Sequence, residues 1–301
     1  MLPSWSGVFP ALTTKFKDDQ TLDIEAIERH IEFQIGAGVD GLVLLGSLGE
    51  NGTLTFGEKL EVLKSGVSVS DRRLPVLCCV AETTTMGACR FAEKAASLGA
   101  DGFMVLPGMQ YVSDRRETMQ HMRSVAAATD RPLMLYNNPV SYRVDITPEM
   151  FAELADEPQF VAIKESSDDI RRITDITNLV GDRYKIFTGV DDLAMESLLL
   201  GAAGWVAGLV CAFPRETVAL YHLVHSRKIE EALALYRWFM PLLHLDVSTK
   251  FVQNIKLAEA MTGNGNEVVR APRLPLAGDE RAAVERVISR ALKTRPVLPA
   301  Q

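Results

Sequence analysis

The residues best placed to do covalent chemistry sit where apolar runs give way to polar ones. Lys164 closes the run Phe160-Val161-Ala162-Ile163 and is followed by Glu165-Ser166-Ser167. A run of that length and composition reads as a buried parallel strand. Burying a lysine at the strand's carboxyl end disfavours the ammonium and leaves the neutral amine, the form that adds to a carbonyl or imine carbon. The competing reading is a loop lysine whose stem packs on the wall while its charge reaches water. Tyr136, in Tyr136-Asn137-Asn138-Pro139, ends the preceding apolar run. A phenol beside an iminium can move protons to and from the neighbouring carbon or oxygen. Taken without Lys164, it is more simply a packed ring with a satisfied hydroxyl.

Gly46-Ser47-Leu48-Gly49-Glu50 follows another apolar run. Successive amides in such a turn form a concavity for a carboxylate, to which Ser47 adds a hydroxyl. The same glycines also serve a plain βα turn. Glu50 is either an acceptor behind the site or a solvated helix start. Gly189 and Gly208 leave room for a small ligand. Asp191 and Asp192 read as helix caps rather than cation ligands. His222 and His225 lack the acidic surroundings of a metal pair, and Cys78, Cys79, Cys89 and Cys211 lack metal spacing, so they read as reduced, buried small residues. No metal or organic cofactor is expected.

Positioning these groups requires repeated βα units. Gly38-Val39-Asp40-Gly41, Gly99-Ala100-Asp101-Gly102 and Gly201-Ala202-Ala203-Gly204 each end a helical pattern and lead at once into an apolar run. Asp23 is placed to cap a helix with Ile24, Ile27, Ile31 and Ile35 on one face, and Thr55 with Glu58 forms a capping box. Eight short strands alternating with eight helices predict an α/β fold, a (β/α)8 TIM barrel over residues 1–225. From about Ser226 the pattern is helical only, which predicts a C-terminal three-helix extension over residues 226–301.

At 301 residues, 47% apolar and 24% charged, the chain has the composition of an ordinary globule. A net charge of -7 with scattered basic residues excludes a nucleic-acid surface. No stretch reaches the roughly 20 apolar residues that span a bilayer. The start has no cationic region followed by a signal-length apolar segment, so a cytoplasmic location is expected.

Together, Gly46-Ser47-Leu48-Gly49-Glu50, Tyr136-Asn137-Asn138-Pro139, Ile163-Lys164-Glu165-Ser166 and Gly189 through Gly204 and Gly208 resemble the dihydrodipicolinate synthase and N-acetylneuraminate lyase family of class I (β/α)8 enzymes. The resemblance covers nearly the whole chain. It implies a Schiff base between Lys164 and C2 of a 2-oxo acid or its imine, with Tyr136 as proton shuttle and the Ser47-Leu48 amides on the carboxylate. It also implies Asn138, Ser141, Gly189 and Gly208 around the substrate, and a homotetramer built as a dimer of dimers.

The lysine-pathway synthase has a threonine where this chain has Leu48, a partner subunit's tyrosine where Met109 stands, and an arginine where Ser141 stands, with Arg143 two residues on. Asn137-Asn138-Pro139-Val140-Ser141-Tyr142 and Val269-Arg270-Ala271-Pro272 are most similar to a smaller branch of the family. That branch removes water and ammonia from Δ1-pyrroline-4-hydroxy-2-carboxylate in bacterial hydroxyproline breakdown, leaving 2,5-dioxopentanoate. The expected activity is therefore that deamination. The alternatives are a synthase-like reaction, an aldolase or dehydratase of 2-keto-3-deoxy sugar acids, and a binding barrel that has lost catalysis.

Overall fold

A computed structural model describes residues 5–108 and 111–298. Eight parallel strands alternate with helices in the order β1 (Gly7–Pro10), α1 (Ile24–Gly36), β2 (Leu42–Leu44), α2 (Phe56–Ser70), β3 (Val76–Val80), α3 (Thr85–Ser97), β4 (Gly102–Val105), α4 (Arg115–Ala127) and β5 (Leu133–Asn137). The chain continues through α5 (Pro139–Tyr142), α6 (Pro148–Glu153), β6 (Phe160–Glu165), α7 (Arg171–Val180), β7 (Lys185–Thr188), α8 (Ala194–Leu199), β8 (Gly204–Ala207) and α9 (Pro214–His225). Strands pair in the sequence β1-β8-β7-β6-β5-β4-β3-β2. A parallel bridge between Ala11 and Val43 brings the two ends together, so the sheet is a nearly closed (β/α)8 barrel.

Local chemistry sets most of these elements. Asp23 accepts from the Ala26 amide to start α1, whose Ile27 and Ile31 are buried. Thr55 and Glu58 form the reciprocal capping box at α2. On α7 the expected stripe of Ile170, Ile173, Ile176 and Leu179 holds only at its centre. The helix starts at Arg171, Ile173 and Ile176 are buried, and Val180 packs on the core while Leu179 is 52% exposed. The spacing of three then four residues keeps Val180, not Leu179, on the inner stripe.

Strand β6 runs two residues past the apolar stretch. Lys164 therefore lies inside the ladder, level with Tyr136 on β5 and Phe187 on β7. Glu165 follows with its side chain on Asn137 Nδ2 (3.2 Å) and the Ser167 amide (2.7 Å), because successive strand residues face opposite ways. A register shift near the start of this pairing matters here. Leu133 pairs with Phe160, but Met134 pairs with Ala162, leaving Val161 as a bulge. Without it, Tyr136 would lie beside Ile163.

Beyond α9 come α10 (Ile229–Leu243), α11 (Phe251–Met261) and α12 (Gly278–Lys293). They are tied to the barrel by buried ion pairs. Lys256 Nζ lies 2.6 Å from Glu50 Oε1, and Lys15 Nζ lies 2.6 Å from Glu259 Oε2. Thr13 Oγ1 also donates to Glu259 at 2.7 Å. No helix among the described residues is long and apolar enough to cross a membrane.

Candidate active site

The strands' carboxyl ends and the extension enclose a cavity of about 470 Å³. Lys164, Tyr136, Ser47, Leu48, Asn138, Ser141, Gly189 and Gly208 all line it. All eight positions singled out in the sequence thus converge. A second cleft of about 570 Å³ lies between Thr83–Thr85, Tyr111 and His121. Its described lining contains no lysine. Met109 lies outside the described residues. The smaller cavity is the one lined by a lysine, Lys164.

Lys164 is only 6% exposed, and its Nζ sits 4.3 Å from the centre of the Tyr136 ring. Lys15, Lys59 and Lys256 hold ion pairs, whereas Lys164 holds none among the described residues. Burial pulls its pKa below the ordinary lysine value, against the opposing pull of Tyr142, Cys79, Asp246 and Asp191. Gly189 makes room for it. A Cβ there would fall 2.3 Å from Lys164 Cε and 2.1 Å from Ser166 Oγ.

The Tyr136 hydroxyl accepts from Asn138 Nδ2 at 3.1 Å. Asn138 Oδ1 in turn accepts from the Ser141 amide at 2.9 Å, capping α5 and fixing the orienting group. Desolvation pushes the Tyr136 pKa up to about 12, with hydrogen bonds from Asn138 and Tyr142 holding it back. The resting phenol is therefore protonated.

Tyr142, on the same short helix, meets Tyr136 edge-on at 5.7 Å, and its hydroxyl is hydrogen-bonded to Ser47. Ser47, Tyr142 and Tyr136 thus lie side by side, with one hydrogen bond, between Ser47 and Tyr142, joining the first two hydroxyls. Sequence reasoning passed over Tyr142, although its place three residues after Pro139 puts it on the helix that Pro139 opens.

The structure places three further groups, and one of them, Asp191, differs from the sequence reading. Asp191 does not cap a helix: its carboxylate accepts from Trp205 Nε1 (2.9 Å) and from the Gly208 (3.2 Å) and Leu209 (2.8 Å) amides, joining the ends of β7 and β8. Those three donors outcompete a cap at the start of α8. Glu50 is buried rather than solvated. Its backbone is left-handed at φ 56°, and its carboxylate takes the Lys256 ammonium and the Arg270 amide. Arg143 caps the end of α5, exposed and away from the cavity lining, while Arg273 from the extension lines the mouth.

A protein-family model described as the dihydrodipicolinate synthetase family matches residues 4–291. A 4-hydroxy-tetrahydrodipicolinate synthase of Methanothrix thermoacetophila is 31% identical over 285 residues, covering 94% of this chain and 96% of that protein. The solved 4-hydroxy-tetrahydrodipicolinate synthase of Methylacidiphilum fumariolicum superposes with a TM-score of 0.92 at 27% identity, covering 96% of this chain and 97% of that one. A putative dihydrodipicolinate synthetase of Pseudomonas aeruginosa superposes with a TM-score of 0.91 at 30% identity, over 96% of this chain and all of that one.

Proposed function

This chain belongs to the dihydrodipicolinate synthetase family, and from that premise we propose that Lys164 is the amine through which it acts as a Schiff-base lyase on a small 2-oxo acid or cyclic imine. The supporting observation is the buried, unpaired Lys164 amine held level with the Tyr136 phenol. The neutral amine adds to C2. Tyr136, protonated at rest, donates to the departing oxygen or nitrogen, and its phenolate then takes a proton from C3 of the iminium. Tyr142 and Ser47 pass that proton toward the mouth. The amides at Ser47 and Leu48 hold the substrate carboxylate, Asn138 orients Tyr136, and Gly189 and Gly208 keep the cavity open. Residues 1–225 act as the catalytic barrel and 226–301 as an extension that closes one side of its mouth. The assembly we propose is a cytoplasmic homotetramer.

Two finer readings remain, and the relatives favour the synthase-like one. The Methanothrix and Methylacidiphilum proteins are named as 4-hydroxy-tetrahydrodipicolinate synthases. The Tyr142 hydroxyl, bonded to Ser47 and beside the Tyr136 ring, supports that reading as a source of the hydroxyls that Leu48 and Met109 do not offer. The pyrroline deaminase reading keeps one specific observation in its favour. Ser141 lines the cavity where the synthase has an arginine, and Arg143 does not reach in. Borohydride trapping, resolved by mass, against pyruvate, 2-keto-3-deoxy acids and the hydroxylated pyrroline decides between them. An adduct on Lys164 with pyruvate and none with the pyrroline selects the synthase-like reading. Ammonia released from the pyrroline selects the deaminase. No adduct with any of them rejects the Schiff base.

A further inference from the structure

Of the two carboxylates that line the cavity among the described residues, Asp168 is exposed and Asp246 is the more buried. It comes from the extension, in the turn after α10, and lines the cavity that holds Lys164. Its carboxyl lies against the bare α-carbon of Gly208, where a Cβ would come within 2.1 Å of Oδ1. Oδ1 is buried with no hydrogen-bond partner, and Asp246 takes part in no ion pair among the described residues. Its neighbour Asp191 touches the same Gly208 but spends its oxygens on three N–H donors, which favour its charged form against the burial that raises its pKa. An unpaired carboxylate beside a second carboxyl group, with one oxygen shut off from water, is disfavoured as an anion, whereas a neutral carboxylic acid there has an O–H to give.

We propose that Asp246 is the acid that handles the proton at the C4 oxygen of the Schiff-base-bound substrate, and so selects substrates that carry an oxygen at that carbon. The inference rests on Lys164 forming the Schiff base, and it holds for either finer reading. In a condensation, the C3–C4 bond forms from the enamine and the aldehyde oxygen becomes a hydroxyl by taking the Asp246 proton. In a dehydration, the enamine's electron pair forms C3=C4 and regenerates the iminium as the C4–O bond breaks, and the departing hydroxyl takes that proton to leave as water. Asp246 is reprotonated from solvent at the mouth. Burial raises its pKa well above the usual carboxylate value, and the charges of Asp191 and Asp192 push in the same direction while Lys164 opposes them. Tyr136 and Cys211 also feel its charge, and Arg273 lines the same mouth.

The test compares the wild type with Asp246→Asn, which keeps the side chain's size. Steps that stop at C3 should not change: the borohydride-trapped pyruvate adduct and deuterium exchange at the pyruvate methyl should match the wild type within about twofold. Turnover of the C4-oxygen substrate that the wild type accepts, tried as the hydroxylated pyrroline and as pyruvate with an amino-aldehyde, should fall about 10²–10⁴-fold, the usual worth of a general acid. The falling alkaline limb of the wild-type kcat profile should vanish with it. Full turnover in Asp246→Asn overturns the proposal and leaves the Schiff base standing. Loss of the pyruvate adduct in the variant also overturns it, because Asp246 would then serve Lys164 itself. No pyruvate adduct in the wild type overturns the underlying Schiff-base reading instead.

Discussion

The seam between barrel and extension and the mouth of the barrel bury the same residue types and use them in opposite ways. At the seam, Lys15 and Lys256 are fully buried, yet each ammonium has a carboxylate at 2.6 Å. The Lys256 ammonium also donates to the Val268 carbonyl at 2.6 Å. Even so, burial draws the Lys256 pKa down to about 8 against the pull of Glu50. At the mouth, Lys164 is almost as buried but has no such partner, and the carboxylates nearby are either spent on N–H donors or left unpaired. A buried lysine whose charge is matched reads as structural, and one whose charge is unmatched as a candidate nucleophile. Burial alone does not distinguish the two.

Four experiments break or sharpen that contrast. Lys164→Ala should abolish the borohydride adduct and bring turnover to background, with circular dichroism and melting temperature unchanged; a variant keeping most turnover would move the nucleophile elsewhere. Glu50→Gln leaves Lys256 buried without its anion and should cost about 3–5 kcal/mol in urea unfolding, while the protein that remains folded still traps pyruvate. An unchanged unfolding midpoint would show that this pair does not hold the seam.

Tyr142→Phe removes the middle hydroxyl of the relay and should lower kcat about 10²-fold with little change in KM. A rise in KM alone would make Tyr142 a binding residue. The gentlest probe is pH. Because the folded pKa of Lys164 is depressed, the neutral amine accumulates as pH rises through that lowered value, so the rate of adduct formation should climb and level off below the ordinary lysine value of about 10.4. A climb continuing to that value would describe a solvated lysine.

Much of the scaffold was legible along the chain because it is built from local interactions. The Asp23 cap, the Thr55–Glu58 box and the glycine-led entries into β2, β4 and β8 depend on residues a few positions apart. Tyr142, Asp246 and Arg273 gave no comparable signal. Asp246 and Arg273 reach the cavity from a helical tail whose spacing says nothing about the barrel's mouth. Asp191 was misread for a related reason. A cap is the nearest use for an aspartate before a helix, but the Trp205 indole and two amides from the end of β8 are nearer in space.

The order of residues determined that a lysine and a tyrosine would end neighbouring parallel strands, since apolar runs and turn glycines are written in the chain itself. Only the folded barrel decided that they stand side by side, because the bulge at Val161 advances β6 by one residue against β5. It also decided that the Lys164 amine has no counter-ion among the described residues. Pairing and desolvation depend on which distant side chains the strands and extension bring within a few ångströms, and no local pattern encodes that distance.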